Sequence, residues 1–144
     1  MPLPKVVLDV NICVRGLITR GSAYEIVFGQ ASRYVLYLSD FLLSKIAEVA
    51  HRPHIFEKYH LNQEKIDHYI QHLRDIGHVI PVITVLDVVS DPEDNQILAC
   101  AVDAGADYLV TGDPHFDPLQ GRYQKVLILD PVTLLRIVRS TPLP

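Results

Sequence analysis

Short apolar runs alternate along the chain with segments that carry helix-start signals, and this alternation restricts the fold more than any other feature. The runs predicted as strands are Lys5 to Leu8, Tyr34 to Leu38, Tyr108 to Thr111 and Lys125 to Leu129. The stretch from His78 to Val89 is also β-rich, but Pro81 interrupts it, so we expect one strand and some extended chain there. Continuous apolar runs are typical of strands that are buried on both faces. The pattern therefore predicts an α/β fold, with a central, mostly parallel sheet that helices flank on both faces.

Capping residues mark the predicted helices. Ser22 and Glu25 form a capping-box pair that predicts a helix through about Ser32, after a loop that contains Gly16 and Gly21. The other predicted helices run from the cap Ser39 to a stop at Pro53, from Gln63 to Ile76 behind the cap Asn62, from Asp91-Pro92 to Gly105, and from Pro131 through Val138.

The length and composition are those of one folded domain. The chain has 144 residues, of which 49% are hydrophobic, and we expect a single domain over residues 1–144. No apolar run could span a bilayer, and the N-terminus lacks the apolar stretch of a signal peptide, so we expect a cytoplasmic protein without a membrane partner. Cys13 and Cys100 are predicted to be small buried thiols.

The acidic residues are unevenly distributed. Seventeen acids and thirteen bases give a formal charge of −4. No Lys or Arg occurs from Asp75 to Gly121, a stretch that holds Asp75, Asp87, Asp91, Glu93, Asp94, Asp103, Asp107, Asp113 and Asp117. A solvated acidic face is the reading that composition alone favours. If these carboxylates converge, however, their repulsion is costly, and metal ions are the usual remedy.

Three of the acids are predicted to meet at one edge of the sheet. Asp9 ends a predicted strand, Asp113 follows another, and Asp94 lies in the first turn of the helix that leads into the second of these strands. Active sites of open parallel sheets form beyond the carboxyl ends of the strands. The alternatives are a loop cap for Asp9, a turn residue for Asp113, and a helix-start acid for Asp94.

Two further side chains remain ambiguous in the pattern. Glu48 falls on the polar side of its helix, where an exposed pair with Arg52 is the simpler interpretation. His115 is the one histidine that we place near the acids, because it follows Asp113 by two positions. The sequence contains no HExxH, GxGxxG, Walker A or GxSxG motif.

Four segments together carry a resemblance to a known family. They are Val7-Leu8-Asp9-Val10-Asn11, Ser39 to Pro53, Asp91 to Ala101, and Tyr108 to Phe116, in this order. The sequence resembles the PIN-domain family, in particular the VapC-like toxins of prokaryotic toxin–antitoxin pairs. The resemblance assigns Asp9, Glu48, Asp94 and Asp113 as the catalytic and metal-ligating acids. One departure is Val10, since many relatives have Thr or Ser at this position.

The resemblance implies a Mg²⁺- or Mn²⁺-dependent endoribonuclease that hydrolyses RNA phosphodiester bonds. Its auxiliary residues would be Asn11, Asp91, Thr111 and Asp117, with Asp91 also read as a helix cap. Arg15 and Arg20 would hold the RNA backbone. It further implies a cognate antitoxin partner and a homodimer to which the apolar C-terminal segment contributes. The alternative is a non-catalytic PIN-like module that binds RNA or protein.

Overall fold

The computed structural model describes residues 2–140, and it contains one six-stranded sheet. The strands are β1 (Lys5–Leu8), β2 (Val35–Leu38), β3 (Gly77–Val79), β4 (Tyr108–Val110), β5 (Arg122–Tyr123) and β6 (Val126–Leu129). Their order is β3-β2-β1-β4-β6-β5, and every pair is parallel except β5 with β6. The predicted α/β class with a mostly parallel sheet is confirmed. The predicted extent of the domain, 1–144, reaches beyond the described residues and stays a prediction.

Seven α-helices are present in this part of the chain. They are α1 (Val10–Ile18), α2 (Ser22–Tyr24), α3 (Asp40–Ala50), α4 (Pro53–Phe56), α5 (Gln63–Ile76), α6 (Pro92–Asp103) and α7 (Pro131–Ser140). The predicted caps of α3, α5 and α6 are confirmed, because the Ser39, Asn62 and Asp91 side chains each accept a hydrogen bond from a backbone N–H of the first turn. None of the helices within residues 2–140 has both the length and the apolar character needed to cross a bilayer.

The core lies around the two central strands. Val6, Val7 and Leu8 of β1 are fully buried, as are Leu109 and Val110 of β4. Because these strands are covered on both faces, their sequences are continuous apolar runs and not alternating ones. Leu8 pairs with Val110, so the residues that follow β1 and β4 emerge side by side at the carboxyl edge of the sheet.

The sequence prediction was wrong between β1 and β2. A loop was expected where α1 lies, and the expected helix from Ser22 to about Ser32 is instead α2, a π-helical turn (Glu25–Gly29) and a 3₁₀ turn (Ala31–Arg33). Gly16, which suggested a loop, is buried inside α1. A Cβ at this position would lie 2.7 Å from the Tyr69 hydroxyl oxygen, so the glycine serves close packing of α1 on α5.

The chain between β3 and α6 forms neither a helix nor a strand over residues 80–89, here called the extended segment. Two side chains of α6 fasten it. Asn95 accepts hydrogen bonds from the backbone of Val88 (3.0 Å) and Val89 (3.1 Å) and donates to the carbonyl of Val89 (2.9 Å). Asp103 accepts from the backbone of Ile83 (2.7 Å) and Thr84 (3.0 Å) and from the Thr84 hydroxyl.

Candidate metal centre

Three carboxylates from separate parts of the chain meet at the carboxyl edge of the sheet. Asp9 follows β1 directly, Asp113 lies shortly after β4, and Asp94 is in the first turn of α6. One carboxylate oxygen of each lies within 4.8 Å of the others. The structure thus brings together the three acids that the strand order predicted to meet.

Asp9 is held in place by the backbone and by Thr111. Its N–H donates to the Val110 carbonyl (2.9 Å), its Oδ1 accepts from the Val10 N–H (2.7 Å), and its Oδ2 accepts from the Thr111 hydroxyl (2.6 Å). The Thr111 oxygen also accepts from the Asp113 N–H (3.0 Å). Thr111, the residue that follows β4, therefore brings a hydroxyl to Asp9 although position 10 is a valine, and it connects two of the three acids.

Burial makes the charges of this cluster costly. Asp9 is 3% exposed and Asp94 is 7% exposed. Desolvation, and to a smaller extent the neighbouring carboxylates, raises the pKa of Asp9 and raises the pKa of Asp94 to about 7. We expected repulsion between like charges to raise these pKa values, but burial is the larger cause. Hard oxygen ligands with raised pKa values fit a divalent cation, which would stabilise their ionised forms.

His115 adds a nitrogen to the cluster. Its Nδ1 lies 2.9 Å from Asp94 Oδ2, 3.2 Å from Asp113 Oδ1 and 3.7 Å from Asp91 Oδ2, while the side chain is 49% exposed. The hydrogen bond to Asp94 is the main cause that raises the pKa of His115. Ligand atoms of Asp91, Asp94 and His115 form a second group within 4.8 Å. The sequence placed His115 near the acids but gave no signal for a role.

Glu48 belongs to neither of these two groups. Its carboxylate lies 2.5 Å from Lys45 Nζ and 3.9 Å from Arg52 Nη2, and the side chain is 55% exposed. The hydrogen bond from Lys45 holds the pKa of Glu48 below its usual value. Lys45 also contacts Glu93 (2.8 Å), the residue before Asp94, so an ion-pair chain links Glu48 to the first turn of α6.

The remaining predicted site residues lie around the cluster. Asp91 caps α6 by accepting from the Glu93 N–H (2.8 Å), as the helix-start pattern indicated. Asn11 is exposed in the first turn of α1, and Asp117 is exposed in a 3₁₀ helix (Pro114–Leu119) that begins after Asp113.

A groove of about 640 Å³ opens beside the acids. Polar side chains of the groove include Asn11, Arg15, Arg52, His54, Asp113 and His115. Arg20 is not in this groove, because it lines a separate cavity with Arg136 and Arg139. The sequence pattern indicates Arg52 only as an ion-pair partner of Glu48. The groove forms from α1, α3 and α4, so no local pattern shows that Arg52 lines it.

A parallel α/β sheet that gathers three carboxylates at its carboxyl edge defines a class of domain suited to holding divalent cations. A family model described as a PIN domain matches residues 5–115, and the chain belongs to this family. The crystal structure of VapBC2 from Rickettsia felis, bound to a DNA fragment from their promoter, is similar in fold. The TM-score is 0.60 at 17% sequence identity, over 88% of this chain and 98% of that chain. No curated protein matches the sequence.

Proposed function

We propose that the protein is a divalent-metal-dependent endoribonuclease that hydrolyses RNA phosphodiester bonds. The observation that carries this proposal is the convergence of Asp9, Asp94 and Asp113 within 4.8 Å, in a chain of the PIN-domain family. These acids come from three distant segments, and the fold keeps two of them buried in spite of the electrostatic cost. Such costly arrangements concentrate at functional sites.

The roles of the residues follow from their positions. Asp9, Asp94 and Asp113 hold Mg²⁺ or Mn²⁺, which when bound activates water and neutralises charge at the scissile phosphate. Thr111 keeps Asp9 in the orientation given by their 2.6 Å hydrogen bond. Glu48, which the ion pairs of Lys45 link to the first turn of α6, joins the acids when it releases Lys45. Asn11, Asp91 and Asp117 assist by orienting the acids or the substrate.

The groove beside the acids suits a single strand of RNA. Arg15 and Arg52 line it, so phosphates in the groove meet positive charge close to Asp113. Arg20, with Arg136 and Arg139, forms a second basic area that can contact RNA only outside the groove. In this proposal Arg15 and Arg52 position the backbone, and neither reads the base sequence.

The proposed nuclease is the toxin of a toxin–antitoxin pair and acts in the cytoplasm. The family resemblance and the similar fold of VapBC2 support an antitoxin as its protein partner. A homodimer is also proposed, but α7 exposes fewer apolar side chains for a dimer interface than its sequence indicated. Leu134, Leu135 and Val138 are buried in the protein's own core, whereas Val132 is 58% exposed.

A cleavage assay with mixed RNAs, with and without Mg²⁺ or Mn²⁺, tests this function. We expect metal-dependent cleavage by the wild type and loss of cleavage in Asp9→Asn, with Asp67→Asn as the matched control. Asp67 is an exposed carboxylate of α5 that bonds Gln63 and belongs to neither acidic group. Metal binding measured by calorimetry, without cleavage of any RNA, would favour the non-catalytic module instead.

A further inference from the structure

The second ligand group at the cluster differs from the first in its chemistry. Asp9, Asp94 and Asp113 offer oxygen alone, whereas Asp91, Asp94 and His115 offer two oxygens and an imidazole nitrogen. Asp94 belongs to both groups, so the two positions are adjacent. The nitrogen is well placed, because His115 Nδ1 faces the carboxylates of Asp94, Asp113 and Asp91 at 2.9, 3.2 and 3.7 Å.

The ligand type affects which cation is preferred. Mg²⁺ selects oxygen ligands and keeps much of its water. Imidazole suits later first-row metals, whose affinity for a site with nitrogen ligands rises from Mn²⁺ to Co²⁺ and Ni²⁺. A site in which His115 acts as a ligand therefore favours these metals over Mg²⁺, in contrast to a site made of carboxylates alone.

We propose that His115 is a direct nitrogen ligand of a divalent cation held by Asp94 and Asp91, next to the position bounded by Asp9, Asp94 and Asp113. The proposal rests on the proposed function, since it assigns an additional ligand to the same metal centre. It makes the centre selective for Mn²⁺ and Co²⁺ over Mg²⁺. It also gives Asp91 two roles, because one oxygen caps α6 (Oδ1 to the Glu93 N–H, 2.8 Å) while Oδ2 faces His115.

The opposing interpretation is that His115 only pairs with the acids. In that case its hydrogen bond to Asp94 stabilises the metal-free cluster, and the imidazole must leave when a cation binds. The two interpretations predict opposite effects of removing the imidazole. Metal affinity falls if His115 is a ligand, and it rises if His115 competes with the cation.

Electron spin-echo spectroscopy of Mn²⁺ bound to the full chain at pH 8 separates them. We expect a ¹⁴N coupling in the wild type that shifts to ¹⁵N when histidine is labelled with ¹⁵N. The coupling should vanish in His115→Gln and persist in His54→Gln, a histidine of the same groove that touches no carboxylate in the described contacts. Because the labelling experiment uses the wild type, it does not depend on the folding of a variant.

Calorimetry with Co²⁺ and Mg²⁺ completes the test. In His115→Gln we expect the Co²⁺ affinity to fall on the order of tenfold or more, as for other losses around metal ligands, with the Mg²⁺ affinity nearly unchanged. In Asp91→Asn, which keeps a good capping residue, the Co²⁺ affinity should also fall.

Each other outcome has a definite meaning. Binding of Mn²⁺ without a histidine coupling, or a higher metal affinity in His115→Gln, overturns the assignment of His115 and leaves the nuclease proposal intact. Unchanged Co²⁺ affinity in Asp91→Asn removes Asp91 from the ligand set and overturns the proposal as stated. Absence of any Mn²⁺ binding by the wild type overturns the metal centre and the proposed function together.

Discussion

Helix α6 carries two sets of polar side chains whose electrostatic situations are opposite. At its start, burial and neighbouring carboxylates raise the pKa of Asp94 to about 7. At its end, hydrogen bonds from the Thr84 hydroxyl and from the backbone of Thr84 and Ile83 lower the pKa of Asp103. Both are aspartates on one helix. Asp103 accepts three hydrogen bonds from the extended segment, whereas Asp94 is buried beside other acids with His115 as its hydrogen-bond partner.

This difference separates carboxylates that stabilise the fold from carboxylates that destabilise it in the absence of a cation. A carboxylate whose folded environment favours its charge contributes to stability at neutral pH. A carboxylate whose environment opposes its charge reduces stability unless a cation compensates. Asp94 and Asp103 therefore respond differently to substitution, and the following predictions test that contrast from the largest expected effect to the smallest.

The largest effect is expected from Asp113→Asn. RNA cleavage should fall by about three orders of magnitude, or ~4 kcal/mol in the barrier, because a metal-ligating charge is lost. The metal-free melting temperature should stay unchanged or rise, since one repelling charge is removed and Asn can still accept from the His115 N–H (2.8 Å). The measurements are cleavage with Mn²⁺ and thermal unfolding with chelator.

Asp130→Asn is the matched control for this variant. Asp130 likewise accepts a backbone hydrogen bond near a helix start, from the Thr133 N–H (2.7 Å), but it belongs to neither acidic group. We expect its activity to stay near that of the wild type. Full activity in Asp113→Asn would remove Asp113 from the site and weaken the nuclease proposal as a whole.

Asn95→Ala, one position after Asp94, should lower stability and leave metal binding unchanged, which is the reverse of the effect expected from Asp113→Asn. The change leaves two N–H groups and one carbonyl of the extended segment without their partners. We expect the free energy of unfolding in urea to fall by about 2–3 kcal/mol. Metal affinity of the folded variant should remain close to that of the wild type. Gln96→Ala, an exposed neighbour, is the control and should change stability by less than about 0.5 kcal/mol.

A stability loss no larger than that of Gln96→Ala would show that Asn95 does not fasten the extended segment. A loss of metal affinity equal to the loss of stability would show that the hydrogen bonds of Asn95 to the extended segment and the metal centre cannot be treated separately. Either result would break the contrast between Asp94 and its neighbour.

The sequence predicted those features that depend on local signals. The caps Ser39, Asn62 and Asp91 were identified because a capping side chain bonds a backbone group within its own first turn. The meeting of Asp9, Asp94 and Asp113 was predicted from the strand pattern, because parallel strands present their carboxyl ends at one edge.

The features that the sequence did not show depend on contacts between distant residues. The Thr111 hydroxyl bonds Asp9 across 102 positions, and this requires the register of β4 beside β1. Helix α1 was missed because Gly16 is a poor helix former, and its buried contact with Tyr69 is visible only in the packed fold. Glu48 forms ion pairs with its sequence neighbours Lys45 and Arg52, so neither the sequence pattern nor the position of its carboxylate reveals a role in the metal centre.

The smallest expected effect is the most direct test of the contrast, because it compares the pH dependence of two matched variants of the metal-free protein. The folded-state pKa of Asp103 is lowered, so its stabilisation is present above the unfolded carboxyl pKa near 4 and is lost as the pH falls through the folded value. Asp103→Asn should therefore melt a few degrees below the wild type at pH 7, and the gap should narrow towards pH 4 and below.

The contribution of Asp94 to stability changes with pH in the opposite direction. Its raised folded-state pKa means that the wild type keeps the full benefit of protonation below pH 4 and loses it as the pH rises from about 4 to about 7. Asp94→Asn should therefore gain stability relative to its parent as the pH rises through this range.

The comparison belongs in a His115→Gln background, because His115 also has a raised pKa and faces Asp91, Asp94 and Asp113. This background removes the second titrating group and the hydrogen bond that lowers the pKa of Asp94. Between about pH 3 and pH 8, the melting temperature of the variant minus that of its parent should fall with rising pH for Asp103→Asn, mainly below about pH 4, and rise for Asp94→Asn, between about pH 4 and pH 7. The signs differ because one carboxylate accepts several hydrogen bonds and the other is buried beside acids. Profiles of the same sign would mean that the surroundings of Asp94 favour its charge, and the electrostatic reason for placing a cation there would be lost.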